Sequence, residues 1–241
     1  MANEKIPTVY CINFNDHNRR KKMTRRFQAL NLPYHFTEPV YKTDPRLNHS
    51  DINKQHKRTY SIMLQHLDSL RHYLDNTSET EQFCIVCEDD IMISNQIRES
   101  LPEILCKFLE LDLDIMLLGY LWTQKIDPYS NGHFPLLSSS RNFLYTGYPD
   151  DLWGSQLYIV SRKHARYLLN NFPSEYIFKG VGDGKEPLPY NPDWIITKMG
   201  RRAIISPIIA VEEGSTKTDN CGQNEFHRQC FLANYTEGRF I

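Results

Sequence analysis

The sequence predicts an α/β fold in which a mostly parallel central sheet is flanked by helices. Two observations support this. Short uncharged, β-rich runs alternate along the chain with segments whose apolar residues recur every three or four positions, which is the order of a strand–helix repeat. Several of these runs are apolar throughout, as expected of strands that are covered on both faces of a sheet. A chain of 241 residues fits one domain with a sizeable core, or at most two small domains.

The first half of the chain gives the clearest pattern. A strand is predicted over TVYCINF (8–14), and the basic segment after it has helical spacing at Met23, Phe27 and Leu30. A longer amphipathic helix is predicted from about 54 to 75, with apolar positions at Tyr60, Met63, Leu64, Leu67, Leu70 and Leu74. FCIVC (83–87) then predicts a strand buried on both faces.

The next elements are predicted in the same way. Ser100 and Glu103 have the spacing of a capping box, which predicts a helix start at that point. DIMLLGY (114–120) is typical of a buried strand. QLYIVS (156–161) predicts another strand, followed by a helix with apolar residues at Ala165, Leu168 and Leu169.

The rest of the chain is harder to interpret. AIISPIIAV (203–211) predicts a strand interrupted by Pro207, which indicates a sheet edge or a bulge. The segments 121–152 and 172–192 are rich in loop-forming residues, so functional loops and ordinary surface turns both remain open for them. The polar tail after Val211 is left unassigned.

Composition excludes several classes of protein. The net charge is −1, from 28 basic and 29 acidic residues, which gives no basic footprint for nucleic acid. No uncharged stretch approaches the roughly 20 residues that span a bilayer, and the N-terminus does not resemble a signal peptide. Six scattered cysteines then favour reduced thiols, so we expect a cytoplasmic protein. Basic runs at 19–26 and 54–58 fit either solvated helix faces or anion binding.

Three acids follow the apolar run 83–87 directly. In an open α/β sheet, ligands bind beyond the carboxyl ends of the strands, where Glu88, Asp89 and Asp90 would lie. In an extended backbone Glu88 and Asp90 point to the same side. Two converging carboxylates repel each other, and a divalent cation such as Mg²⁺ or Mn²⁺ offsets this repulsion. The alternative is a helix N-cap, which needs only one or two acids.

The spacing Cys84-x-x-Cys87 is found in redox and zinc motifs. Within a strand, however, positions i and i+3 face opposite sides, so these cysteines suit neither use. We interpret them as small buried apolar residues.

Six segments, in order, carry a resemblance to a known family: INFNDHNRRKKM (12–23), RTYSIMLQHLDSL (58–70), IVCEDDIMIS (85–94), DLDIMLLG (112–119), WGSQLYIVSRKHARYLL (153–169) and PDWIITK (192–198). Together they resemble the glycosyltransferase family 25 enzymes of lipooligosaccharide and collagen glycosylation. The helix at 58–70 lacks that family's Gly-Cys and Ser-His pair, so the resemblance defines the fold more closely than it defines the acceptor and the activity.

The resemblance implies a single GT-A (Rossmann-like) domain over 1–241, with a nucleotide-binding half at 1–120 and an acceptor-side half at 121–241. It also implies transfer of a hexose, galactose or glucose, from a UDP-sugar with Mn²⁺ or Mg²⁺ bound. The acceptor hydroxyl would belong to a glycan, a lipid-linked sugar or a protein. Glu88 and Asp90 would bind the metal in a DXD-like motif, and Asp89 would face the sugar or ribose.

Other positions acquire expected roles from the same resemblance. Asn13, Arg19 and Arg20 would face the nucleotide, although a solvent-facing helix start fits each arginine equally well. Trp153 and Gly154 would form a platform for a sugar, and a core tryptophan is the competing interpretation.

An inverting transferase also needs a general base for the acceptor hydroxyl. Asp193 is the first candidate, and Asp151, with Asp150 beside it, is the second. Either site could instead cap a helix, and a retaining mechanism would not require this base. The candidates for a third metal ligand are Glu213, His227 and Asp219.

Two other functions fit part of this pattern. A sugar-phosphate nucleotidyltransferase also has acids at strand ends, but it usually carries a glycine-rich loop after the first strand, where this chain has INFNDHNRR. A catalytically inactive binding or scaffold subunit is the non-enzymatic alternative. The acids at 88–90 together with Asp193 favour an enzyme over a scaffold.

Overall fold

A computed structural model describes residues 6–48, 56–129, 132–176, 189–213 and 221–241 of the chain. The described residues form a ten-stranded sheet with helices packed against it, which confirms the predicted α/β class.

The strands are β1 Val9–Ile12, β2 Tyr34–Thr37, β3 Phe83–Glu88, β4 Ile91–Ile93, β5 Ile115–Leu121, β6 Leu136–Ser139, β7 Leu144–Thr146, β8 Trp153–Ser161, β9 Arg202–Ser206 and β10 Ala210–Glu212. The helices are α1 His17–Ala29, α2 Lys57–Asn76, α3 Ile97–Glu110, α4 Arg162–Asn171, α5 Pro192–Lys198 and α6 Cys221–Asn234. Within the described ranges, none of these helices has the length and apolar character needed to cross a bilayer.

The order of the strands decides which residues meet. The main path is β2-β1-β3-β8-β5-β9-β7-β6, and β10 pairs with β4 and with the end of β5 at Gly119. Among the described strands, β4, β7 and β8 run antiparallel to the others. Because β8 is reversed, its first residues lie at the same edge as the last residues of β1 and β3, where Cys87 pairs with Leu157. This edge therefore combines residues from both halves of the sequence.

Each face of the sheet has its own apolar core. Alternate residues of the central strands pack on α2, α4 and α5 on one side, as Val86 and Leu117 do. The intervening residues, such as Cys87 and Met116, pack with α1 and α3 on the other side. This explains why the central strands read as uninterrupted apolar runs. Cys84 and Cys87 are buried in these cores as free thiols.

The structure corrects one predicted element. Helix α3 begins at Ile97, so Ser100 lies inside its first turns and does not cap it. Glu103 bonds elsewhere, because its carboxylate accepts a hydrogen bond of 2.8 Å from Asn142 Nδ2. The capping-box prediction was therefore wrong, although the helix it introduced exists.

Some segments that could not be assigned from the sequence contain helices or strands in the structure. Pro207 follows the end of β9, and the chain resumes as β10, so the interruption predicted at this proline is confirmed. The segment 121–152 contains the β6–β7 hairpin, and the tail after Val211 contains α6. The segment 172–192 lies mostly outside the described residues.

Candidate functional site

The edge formed by the ends of β1 and β3 and the start of β8 collects most of the predicted site residues. Glu88 is the last residue of β3, and Asp89 and Asp90 form the turn that leads into β4. All three acids are thus placed where parallel strands of the sheet end, as the sequence predicted.

Asp89 is bound by two of the residues that were expected to face the nucleotide. Asn13 Nδ2 donates to Asp89 Oδ2 at 2.5 Å, and Arg19 donates to Asp89 Oδ1 at 3.0 Å and to Asp90 Oδ2 at 3.1 Å. Asp16 caps α1 by accepting from the backbone N–H of Arg19, which fixes the start of the helix beside the acids. Burial raises the pKa of Asp89, while Arg19 and Asn13 oppose that rise.

Glu88 has a different set of partners. Ser155 Oγ donates to Glu88 Oε1 at 2.7 Å, and His66 Nε2 lies 3.7 Å from the same oxygen. The other ring nitrogen of His66 hydrogen-bonds the hydroxyl of Tyr158 at 2.9 Å. Burial alone would raise the pKa of Glu88, but His66 and Ser155 outweigh it and the pKa lies below its ordinary value. Glu88 is therefore the one acid of the three whose pKa lies below its ordinary value.

Asp90 is the most strongly perturbed of the three acids. Burial, and then the carboxylates of Glu88 and Glu212, raise its pKa from 3.8 to about 8, against the opposing charge of Arg19. Its Oδ1 atom is buried and has no hydrogen-bond partner among the described residues. Glu212 accepts a hydrogen bond of 2.6 Å from His227 Nδ1, and this bond raises the pKa of His227.

Asp193 lies in the first turn of α5, whose N-cap is Asn191. Its Oδ1 accepts the backbone N–H of Gly154 at 2.9 Å. Burial, and then Glu88, raise the pKa of Asp193. Gly154 has φ +145°, and a Cβ there would stand 2.5 Å from Tyr120 Cα, so this strand start requires a glycine.

Three predicted residues lie around this centre rather than in it. Trp153 is 41% exposed and its ring stands edge-on to Trp194, with centroids 6.1 Å apart. Arg20 places its guanidinium over the ring of Phe36, 4.3 Å from the centroid. Asp151 is exposed on the turn before β8.

Two clefts open at this edge. The first, of about 520 Å³, carries three basic side chains, Arg19, Lys42 and Arg58, and the aromatic ring of Phe14. The second, of about 380 Å³, is lined by residues that include Gly154, Ser155, Gln156, Asp193, Glu212 and His227. Both clefts share Arg58, Ile62, Glu88 and Asp90, which therefore mark their boundary. The first cleft carries three basic side chains beside four acids, whereas the second carries one arginine beside four acids.

Comparison with known proteins identifies the family. The sequence profile described as glycosyltransferase family 25 (LPS biosynthesis protein) matches residues 6–179. The chain belongs to glycosyltransferase family 25. It is thus a glycosyltransferase, and the resemblance seen in the sequence is confirmed. No curated protein sequence matches it.

Two solved structures resemble this transferase distantly. One is mannose-1-phosphate geranyltransferase from Thermus thermophilus, with 11% identity, a TM-score of 0.45, and coverage of 83% of this chain and 73% of that one. The other is a glycosyltransferase involved in the glycosylation of the major capsid of PBCV-1, with 7% identity, a TM-score of 0.41, and coverage of 95% and 100%.

The candidates for a third metal ligand have different positions. Glu213 is held by ion pairs with Lys22 at 2.9 Å and Arg26 at 2.5 Å. His227 lines the second cleft beside Glu212, and Asp219 falls outside the described residues. In the part of the chain that the structure describes, no three His, Cys, Asp or Glu side chains are arranged to hold a metal ion by themselves.

Sequence reasoning about the transferase missed four polar residues at this edge. His66 lies among the leucines of α2 and Ser155 within the β8 run, where neither stands out. Gln156 and Glu212 come from segments assigned only as strand and tail. The only available signal was a polar residue inside an apolar pattern, which does not indicate which distant residue it will meet.

Proposed function

We propose that this glycosyltransferase moves a hexose, galactose or glucose, from a UDP-sugar to a hydroxyl group, with a bound Mn²⁺ or Mg²⁺ ion. The observation that carries the proposal is the pair of clefts that share Glu88 and Asp90. A nucleotide sugar has an anionic nucleotide joined through a diphosphate to an uncharged sugar. A cleft with three basic side chains beside a second, polar cleft suits the two parts of such a donor.

The first cleft suits the nucleotide. Arg19, Lys42 and Arg58 supply positive charge for a diphosphate, and charge-assisted hydrogen bonds from arginine are among the strongest in proteins. Phe14 is 46% exposed in this cleft, with Tyr41 edge-on at 5.6 Å, and this pair offers an aromatic face for a nucleobase.

The acids suit a divalent ion. Asp90 carries a buried, unpartnered oxygen and a pKa raised to about 8, and a cation beside it would relieve both costs. Mg²⁺ is commonly bound by one or two carboxylates together with substrate phosphates, so Glu88 and Asp90 are sufficient protein ligands. When bound, the ion would offset the charge that develops on the departing diphosphate.

The second cleft suits the acceptor reaction. Asp193 lies there with a raised pKa, and a base whose pKa is nearer to the working pH transfers protons more effectively. In an inverting reaction Asp193 would take the proton of the attacking hydroxyl, from a glycan, a lipid-linked sugar or a protein. Asp151 is the weaker candidate because it lines neither cleft.

The donor can be tested by thermal stabilisation. UDP-galactose, UDP-glucose, UDP-N-acetylglucosamine and GDP-mannose would each be added with Mn²⁺ or with a chelator. We expect a UDP-hexose to raise the melting temperature only with Mn²⁺, because a ligand that binds the folded state stabilises it. No shift with any of the four, or the same shift in the chelator, would contradict the proposal.

The base can be tested separately with Asp193→Asn. We expect transfer to fall about 10²- to 10⁴-fold, the usual contribution of a general base, while the donor still stabilises the protein. Full transfer activity in this variant would exclude Asp193 as the base.

A further inference from the structure

Gln156 carries a buried side-chain amide that has no hydrogen-bond partner in the described part of the chain. It lies near the start of β8 and is only 4% exposed. Its side-chain oxygen and nitrogen are both buried, and neither has a hydrogen-bond partner among the described residues. The residue lines the second cleft. Since this holds for both ends of the amide within the described ranges, the feature does not depend on which way the amide is oriented.

The backbone around Gln156 is built to place this amide. A Cβ at position 154 would stand 2.8 Å from Gln156 Oε1, so the absence of a side chain at Gly154 leaves room for it. The intervening residue, Ser155, donates to Glu88 at the boundary of the two clefts. The amide thus lines the same cleft as Glu88 and Asp90, the acids that would face the diphosphate.

An unpaired buried amide weakens the fold. Most buried polar side-chain atoms in proteins are hydrogen-bonded, and leaving one unpaired costs more than a typical hydrogen bond contributes. A glutamine amide offers an acceptor oxygen and two N–H donors. Two adjacent hydroxyl groups of a hexose offer a donor and an acceptor side by side, which is the complementary set.

We propose that Gln156 binds two adjacent hydroxyl groups of the transferred hexose and so selects the donor sugar. This inference rests on the proposed function. In a nucleotide sugar the transferred ring is bonded directly to the diphosphate, so it is the first ring beyond Glu88 and Asp90 on the side of the second cleft. Gln156 lies on that side, one residue from the hydrogen bond to Glu88.

The test is Gln156→Met, which keeps the length of the side chain and removes its hydrogen bonds. Calorimetric titration with Mn²⁺ would measure the affinity for UDP and for the UDP-hexose that wild type prefers. We expect the Kd for UDP to be unchanged and the Kd for the UDP-hexose to rise about 10- to 100-fold, the loss of two buried hydrogen bonds. The melting temperature of the free variant should equal or exceed that of wild type, because the variant buries no unpaired amide.

Thr146→Val is the matched control. Thr146 is fully buried in β7, its Oγ1 has no partner among the described residues, and it lines neither cleft. We expect this variant to keep the stability of wild type or exceed it, with both affinities unchanged.

Deoxy donors identify the hydroxyl groups involved. A UDP-hexose that lacks a hydroxyl bound by Gln156 should bind wild type about 10-fold more weakly than the complete UDP-hexose does. The Gln156→Met variant should bind these two donors with equal affinity, because it has already lost the hydrogen bond concerned.

Four outcomes would overturn the inference. A loss of UDP affinity equal to that of the UDP-hexose would place the effect at the nucleotide. Unchanged donor affinity with reduced transfer would place Gln156 at the acceptor. A lower melting temperature with unchanged affinities would make the residue structural. No binding of any UDP-sugar by wild type would overturn the proposed function as well, which separates that failure from the other three.

Discussion

Replacing Asp90 by asparagine is expected to stabilise the free protein while it removes metal-dependent donor binding. The side chain of Asp90 is 14% exposed, and its pKa is raised from 3.8 to about 8 by burial and then by Glu88 and Glu212. Asparagine has nearly the same shape and no charge. The variant should therefore remove the cost of burying an ionisable carboxyl group at this position.

The size and sign of the effect follow from the pKa shift. An acid whose pKa is higher in the folded state costs no stability below about pH 4, a growing amount up to about pH 8, and a constant amount above that. For a shift of the Asp90 pKa from 3.8 to about 8, the free energy of unfolding at pH 7 is lowered by at most about 4 kcal/mol. This upper bound already includes the opposing charge of Arg19, and relaxation around the site reduces the gain further. We expect a net gain of about 1–3 kcal/mol, or roughly 2–6 °C in melting temperature.

The assay is thermal unfolding of wild type and Asp90→Asn from pH 5 to pH 9 without nucleotide. The difference should grow as the pH rises towards 8. Asp44→Asn is a control of opposite sign, because hydrogen bonds from Arg46 lower the pKa of Asp44 from 3.8. Their contribution to stability is fully present above about pH 4, so this variant should lose stability throughout the pH range of the assay. A melting temperature of Asp90→Asn below that of wild type, or a gain that does not increase with pH, would refute the reasoning.

Two further substitutions test the supports of the site. Gly154→Ala should lose about 1–3 kcal/mol in denaturant unfolding, because its Cβ would meet Tyr120 and its φ is +145°. Gly238→Ala, with φ +76° and open space around it, should lose less, and equal losses would contradict the steric argument. Arg162→Met should lose about 2–4 kcal/mol, since this buried arginine donates to three backbone carbonyls in the turn after α2. It lies at the far end of β8, so affinity for UDP should not change, and weakened binding would indicate an unexpected coupling.

The central strand and its acids could be predicted because their signal is local. An apolar run ending in Glu88, Asp89 and Asp90 contains both the buried strand and the polar edge of the sheet, and the structure places both there. The interruption at Pro207 was predictable for the same reason, since proline acts on its own backbone.

The remaining features depend on contacts between distant parts of the chain. His66 meets Tyr158 and Glu88 only because β8 is inserted, reversed, between β3 and β5. The β6–β7 hairpin was missed because Leu136–Ser139 is largely exposed and carries no alternation of apolar and polar residues. Helix α6 was missed because its sequence is polar and its amphipathic pattern is weak.

Calorimetric titration of UDP into the protein tests the central claim most directly. The proposed function predicts that UDP binds wild type with Mn²⁺ present, binds much more weakly with a chelator, and does not respond to Mn²⁺ in Asp90→Asn. Equal binding with and without Mn²⁺, or Mn²⁺-dependent binding that persists in Asp90→Asn, would contradict the assignment of these acids as the metal and diphosphate site.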